Sequence, residues 1–131
     1  MGLVRYLLDT CTFLWNAQQP ALVSASAAEV LNDPANDLFV SDVSVWEVVL
    51  KHTKGKLDLP DKPRVWIPQK FTHHQLLRLP LSHDTLFRCG ELPRVHNDPF
   101  DRLLAAQAIE EGMTLLSPDE PLSLLGAARI W

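Results

Sequence analysis

The sequence predicts a three-layer α/β/α sandwich with a mostly parallel central sheet. Two observations carry this expectation. Short apolar runs of strand length alternate about four times with longer helical segments, and such alternation sets parallel strands between two helix layers joined by right-handed crossovers. In addition, acidic residues stand at the element boundaries. Asp9, Asp119 and the pair Asp98/Asp101 follow a strand or extended segment, or open the helix beyond one, and Glu47 lies one helical turn beyond another. The carboxyl ends of parallel strands are where α/β sheets bind ligands.

Leu3 to Leu8 is short and apolar without clean alternation, which fits a central strand covered on both faces despite Arg5. Asp9-Thr10 ends it, and a helix begins at Cys11. Ser24 to Asn32 is a second helix, capped by Ser24 or Ser26, and Asn32 to Asp37 is a turn cluster. Leu38 to Val40 is a strand ending at Ser41-Asp42. The next helix spans Val43 to Lys54 with Gly55 as its stop, and Ser44-x-x-Glu47 has capping-box spacing. Arg64 to His74 is helical although Pro68 interrupts it, and the proline-rich stretch 60–68 reads as a protruding, mobile clip or a partner surface. Leu76 to Leu79 is a third strand. Ser82 caps a helix from His83 to Leu92, with Leu86, Phe87 and Cys89 as core positions. Trp15 and Trp46 are base-stacking candidates in principle, but they lie in apolar helical segments and are assigned to the core.

His96-Asn97-Asp98-Pro99-Phe100-Asp101-Arg102 opens a helix that runs to Glu111, with Gly112 as its C-terminal stop. Leu104, Ala105, Ala108 and Ile109 form its packing face. Met113 to Ser117 is a strand, Asp119 follows, Pro121 to Leu125 is a helical turn, and Ala127 to Trp131 is a last short strand or extended tail.

A chain of 131 residues suits one domain, 1–131, and a hydrophobic fraction of 47 % argues against disorder. The formal charge of −4 does not mark a nucleic-acid binder. Metal ions can nevertheless neutralise a carboxylate cluster, and Lys51, Lys54 and Lys56 remain available to phosphates. A basic partner protein also fits that charge. Cys11 and Cys89 show no metal-ligand spacing and read as small buried hydrophobes in a reducing, cytoplasmic setting. Met1 to Leu8 is too short for a secretory leader, and the apolar runs fall well short of a membrane span.

Each acid has a local structural explanation. Asp98 is a good N-cap with Pro99 at the first helical position and Asp101 at the third, Asp9 suits a turn or cap, and Glu47 can pair with Lys51 four residues on. Against these stands the expectation that the acids meet at one end of the sheet. Carboxylates brought together without counter-charge raise one another's pKa values. A hard divalent cation removes that repulsion, and one or two such ions, about 4 Å apart when paired, can activate water and stabilise charge on a phosphoryl group. The five histidines form no zinc-site spacing, and no glycine-rich phosphate loop or nucleophile elbow competes. His96 is read as a loop histidine bonded locally, Arg102 as a phosphate contact or a partner of a nearby acid, and Ser117 as a strand-end cap with Asp119 within its reach.

The ordered pieces Leu7-Leu8-Asp9-Thr10, Phe39-Val40-Ser41, Ser44-Val45-Trp46-Glu47, Gly55-Lys56-Leu57, His96 through Ala108, and Leu115-Leu116-Ser117-Pro118-Asp119 run across essentially the full chain. With them the sequence resembles a PIN-domain protein, most closely the VapC-type toxins of bacterial toxin–antitoxin pairs. The resemblance implies an Mg²⁺- or Mn²⁺-dependent ribonuclease whose acidic site maps onto Asp9, Glu47, Asp101 and Asp119, with Asp98 as an additional acid. Ser117 replaces the threonine common in that family and keeps its hydroxyl. Asp42 stands where a small apolar residue is usual, either charging the pocket rim or capping its helix. The implied partners are an RNA substrate, a cognate antitoxin whose C-terminal segment wraps the toxin and fills the acidic groove, and a second copy in a homodimer, with no membrane. The implied chemistry is hydrolysis of RNA phosphodiesters by in-line attack of water, leaving 5′-phosphate ends. The alternatives are a phosphatase or DNA nuclease on the same site, and an RNA- or protein-binding module without catalytic activity that keeps the acids as caps.

Overall fold

The computed structural model describes residues 4–131. Its strands are β1 (Arg5–Leu8), β2 (Asp37–Ser41), β3 (Leu77–Leu79), β4 (Thr114–Leu116) and β5 (Arg129–Ile130). They form one sheet in the order β3-β2-β1-β4-β5, and every adjacent pair is parallel. The helices are α1 (Thr10–Gln18), α2 (Ala25–Asn32), α3 (Asp42–Thr53), α4 (Pro63–His73), α5 (His83–Glu91), α6 (Pro99–Glu111) and α7 (Pro121–Leu124). The result is the expected three-layer α/β/α sandwich. Leu3, placed in the first strand by its apolar run, lies outside the described residues.

Alternation along the strands divides the interior in two. Leu7 and Leu115 face one core, filled by α5, α6 and α7 through Leu92, Leu104, Ala105 and Leu122. Leu8 and Leu116 face the other, where Phe13 of α1, Val48 of α3 and Trp66 and Ile67 of α4 pack. Both faces of the central strands are therefore dry, which is why β1 and β4 read as unbroken apolar runs. The small side chains Ala105, Ala106 and Ala108 lie fully buried on α6 and let that helix sit close to the sheet. Gln107, equally buried, donates its amide N–H groups to the carbonyls of Leu79 and Pro80 at the exit of β3, 3.4 and 3.0 Å away.

Several expectations fail for a common reason: helical segments were assigned a core face from composition, without a partner to define it. Trp46 is 56 % exposed and Phe87 65 %. On α5 the residues turned to the interior are Thr85 and Cys89, followed by Leu92, which leaves Leu86 and Phe87 outside. On α3 the adjacent Val45, Val48 and Val49 take the core side in place of Trp46. Trp15 is half-buried, its ring 5.8 Å from that of Trp131. The clip expected near Pro68 is instead anchored. α4 runs through Pro68, and Trp66 meets Phe13 edge-on at 5.8 Å. The capping box at Ser44 is absent, because α3 starts earlier, with the Ser41 hydroxyl accepting from the Val43 N–H at 3.0 Å.

Two glycines give opposite expectations. Gly112 ends α6 at φ 64°, a left-handed conformation that costs an L side chain about 1 kcal/mol. Gly90 lies exposed inside α5 with open space around its Cβ position. Gly112→Ala is expected to lower unfolding free energy by about 1 kcal/mol, and Gly90→Ala to raise it by about 0.5–1 kcal/mol, as read from urea denaturation of the two variants.

Candidate metal centre

β1 and β4 are neighbours in register, Leu8 opposite Leu116, and between them the strand order reverses: β2 and β3 extend to one side, β5 to the other. A parallel sheet opens a crevice at such a switch point. Asp9 leaves β1 there and Ser117 leaves β4. The Asp9 N–H and the Thr12 hydroxyl both donate to the Leu116 carbonyl, at 3.1 and 2.8 Å, which ties the two strand ends together.

Asp9 is buried. It caps α1, with Oδ1 accepting from the Thr12 N–H at 2.7 Å, while Oδ2 accepts from the Ser117 hydroxyl at 2.6 Å. Burial pushes its pKa up. The bonds from Ser117 and Thr12 oppose that shift, and the charge of Asp119 adds to it. Ser117 does more than end its strand, because its Oγ also accepts from the Asp119 N–H at 3.0 Å. One hydroxyl thus fixes a carboxylate from β1 and the backbone of the acid beyond β4.

Asp98 is the exposed N-cap of α6, its Oδ1 accepting from the N–H groups of Phe100 and Asp101 at 2.9 and 3.3 Å. Its structural explanation is therefore realised. Asp101, one turn on, faces the crevice. Its Oδ2 lies 2.8 Å from His96 Nε2, and Asp119 Oδ2 lies 3.7 Å from that nitrogen. One donor atom from each of His96, Asp101 and Asp119 falls within 4.8 Å of the others. Burial raises Asp101 from 3.8 to about 6; the His96 hydrogen bond opposes the shift, and repulsion from Asp98 and Asp119 adds to it. Two partly desolvated carboxylates and an imidazole converging on one point form a donor set that fits a divalent cation.

Glu47 and Asp9 stand outside this group of three. Thr10, the residue after Asp9, brings them near each other, since its hydroxyl oxygen lies 2.6 Å from Glu47 Oε1 and 2.9 Å from Ser44 Oγ. Glu47 also pairs with Lys51 at 2.9 Å, as the four-residue spacing allows. The Cys11 thiol registers the acids jointly: burial first, then the charges of Asp9, Glu47 and Asp101, against the opposing pull of Lys51, push it up to about 12. Cys11 is accordingly an inert, half-buried thiol.

His96 makes the local bond expected of it, to Asp101, but sequence reasoning missed that this sets its ring beside Asp119. A loop position before an N-cap gives no direction to its ring. The available signal was Arg102, whose predicted contacts with phosphate or a carboxylate are replaced by four carbonyls. Nη1 donates to Pro93 and His96 at 2.8 and 3.1 Å, and Nη2 to Cys89 and Leu92 at 2.8 and 3.2 Å. The guanidinium binds the loop carrying His96 to the helix carrying Asp101. Asp42, the other unusual residue, forms a bidentate pair with Arg78 at 2.8 and 2.9 Å, away from the cluster.

A parallel α/β/α sandwich with carboxylates gathered at its switch point defines a class of proteins equipped to hold a cation there. The chain belongs to the PIN-domain family, whose model, described as "PIN domain", matches residues 6–127. Among solved structures it is similar to VapBC2 from Rickettsia felis, bound to a DNA fragment from its promoter, with 17 % identity, 97 % of this chain and 98 % of that one covered, and a TM-score of 0.69. It is also similar to FitAcB from Neisseria gonorrhoeae (17 % identity, 96 % of each chain, TM-score 0.65). VapBC-1 from nontypeable Haemophilus influenzae is a third similar structure (15 % identity, 97 % of each chain, TM-score 0.65). Likeness at these identities speaks to the fold. No curated protein matches the chain in sequence.

The raised carboxyl of Asp101 sets a pH dependence. Between pH 3.8 and about 6 the folded state holds a proton that the unfolded state has lost, so this group's stabilising contribution is present at low pH and disappears as pH rises through that window. Asp101→Asn is expected to raise the melting temperature of the metal-free protein at pH 7.5 and to change it far less at pH 4, as measured by thermal melts in EDTA.

Proposed function

We propose that this protein is an endoribonuclease dependent on Mg²⁺ or Mn²⁺, acting as the toxin of a toxin–antitoxin pair. The observation that carries the reading is the convergence of Asp101, Asp119 and His96 beside buried Asp9, at a cost in desolvation and repulsion that a bound cation would offset. A bound ion would supply Lewis acidity and neutralise charge on the phosphoryl group. Asp101 and Asp119 would hold it, with Asp9 next to them on the Ser117 hydroxyl. Glu47, oriented by Thr10 and Lys51, would position the attacking water, and Asp98 would contribute charge from the rim. Water would attack phosphorus in line and leave 5′-phosphate ends.

The partner portion of the reading has its own support. α3 and α4 leave an apolar cavity of about 700 Å³ between them, lined by Val45, Trp46, Val49, Ile67, Pro68 and Phe71, with the Asp42–Arg78 pair at its edge. An antitoxin segment with an apolar helical face would fill it, and a basic side chain farther along that segment would reach the acids. A homodimer and a cytoplasmic setting complete the proposal. No helix among the described residues is long and apolar enough to cross a membrane. The binding-only alternative draws on the caps made by Asp9 and Asp98, the Glu47–Lys51 pair and the His96 ring set between Asp101 and Asp119; the metal-dependent reading takes the same three groups as donors to an ion.

The test is cleavage of end-labelled cellular RNA by antitoxin-free protein, with and without Mn²⁺ or Mg²⁺. Asp9→Asn and Asp101→Asn, each confirmed as folded, are expected to lose at least about 100-fold in rate, or about 3 kcal/mol of transition-state stabilisation. Cleavage that survives both EDTA and the substitutions would overturn the metal-dependent reading. Metal binding without cleavage of any RNA would favour the binding module.

A further inference from the structure

We propose that His96 is itself a metal ligand and makes the site selective for first-row transition ions such as Mn²⁺ over Mg²⁺. The inference rests on the preceding reading that the acids hold a divalent ion, and adds which donor chooses it.

The geometry carries the assignment. Ligands about 2.1 Å from an octahedral ion lie about 3.0 Å apart when adjacent and about 4.2 Å apart when opposite. His96 Nε2 and Asp101 Oδ2, at 2.8 Å, are spaced as adjacent ligands, and Asp119 Oδ2, at 3.7 Å from the same nitrogen, falls between the two limits. The donors come from two distant places in the chain: the short segment that leads from the loop after α5 into the first turn of α6, and the turn beyond β4. Proximity along one element does not explain why Asp119 meets the other two.

The imidazole is also held in place. Arg102 donates to the carbonyls of His96, Pro93 and Leu92 in that loop and of Cys89 in α5, so the backbone of His96 is pinned by the residue that follows Asp101 on α6. His96 is 23 % exposed at its side chain and Asp101 24 %, leaving the edge between them open to an entering ion. An ordinary surface ion pair between them would need no such anchoring.

A nitrogen donor changes the site's preference. Mg²⁺ favours an all-oxygen shell and gives up water reluctantly. Manganese, iron, cobalt and zinc accept imidazole and bind it more strongly across that series. An oxygen-only cluster would distinguish Mn²⁺ from Mg²⁺ weakly, and His96 would widen the gap.

The experiment uses the full chain, wild type beside His96→Ala and His96→Gln, each checked for folding by circular dichroism. Calorimetric titration with Mn²⁺ and Mg²⁺ gives the ratio of affinities. Pulsed electron paramagnetic resonance of the Mn²⁺-loaded protein reports directly on a coordinated ¹⁴N. The expected result is a ¹⁴N coupling in wild type that both variants lose. Their Mn²⁺ affinity should fall at least about tenfold, with Mg²⁺ affinity little changed. Mn²⁺ bound without ¹⁴N coupling in wild type, or an unchanged Mn²⁺-to-Mg²⁺ ratio in both variants, would overturn the role of His96 while leaving the acidic site standing. Wild-type protein that binds neither ion would overturn this inference and the metal-dependent reading together.

Discussion

The parallel pairing of β1 with β4 is the constraint on which the rest depends. It sets Leu8 beside Leu116 and so delivers Asp9 and Ser117 to the same point at the sheet's carboxyl edge. Apolar cores on both faces exclude water from these strands, and the carboxylate that leaves β1 must be satisfied by protein groups. Ser117 and Thr12 do this for Asp9. The same burial that stabilises the sheet makes the charge at its edge costly, and a bound cation would offset that cost.

Much of this was legible in the sequence because β1, β4 and α6 have strong local signatures. Unbroken apolar runs announce strands covered on both sides, and the Asp98-Pro99 start with the Gly112 stop brackets α6 almost to the residue. The approach of Asp101 to Asp119 was legible too, since strand-end and helix-start positions have fixed directions relative to a parallel sheet, whereas Asp9 and Glu47 stand outside that group. What was not legible depended on a third partner. Trp46, Leu86 and Phe87 lie in helices whose hydrophobic residues outnumber the places available against the sheet, and no local pattern says which of them face solvent. Arg102 was misread, and the meeting of His96 with Asp119 missed, for a related reason. A side chain's direction in a loop is set by whatever the loop packs on, and Arg102 bonds carbonyls of a segment up to 13 residues earlier.

α6 is more than a carrier of one acid. Its N-terminal turn presents Asp101, the next residue, Arg102, pins the loop of His96, its alanines seat it against the sheet, and Gln107 secures the exit of β3. A charged residue, an anchor, a packing face and a polar tether follow one another within a single helix. This explains why the stretch from His96 to Ala108 is the most information-dense part of the sequence: a change that served packing alone would disturb groups bound at either end.

Thr10 has a consequence that follows from counting protons. A hydroxyl carries one hydrogen, and its oxygen lies within bonding reach of both Glu47 and Ser44. An ionised carboxylate has nothing to donate, so the Thr10 hydrogen goes to Glu47, and Ser44 must give its own to the oxygen of Thr10. The three groups form a one-way chain, serine to threonine to carboxylate, whose sense is set entirely by the charge at its end. Valine in place of Thr10 would keep the shape and abolish the chain.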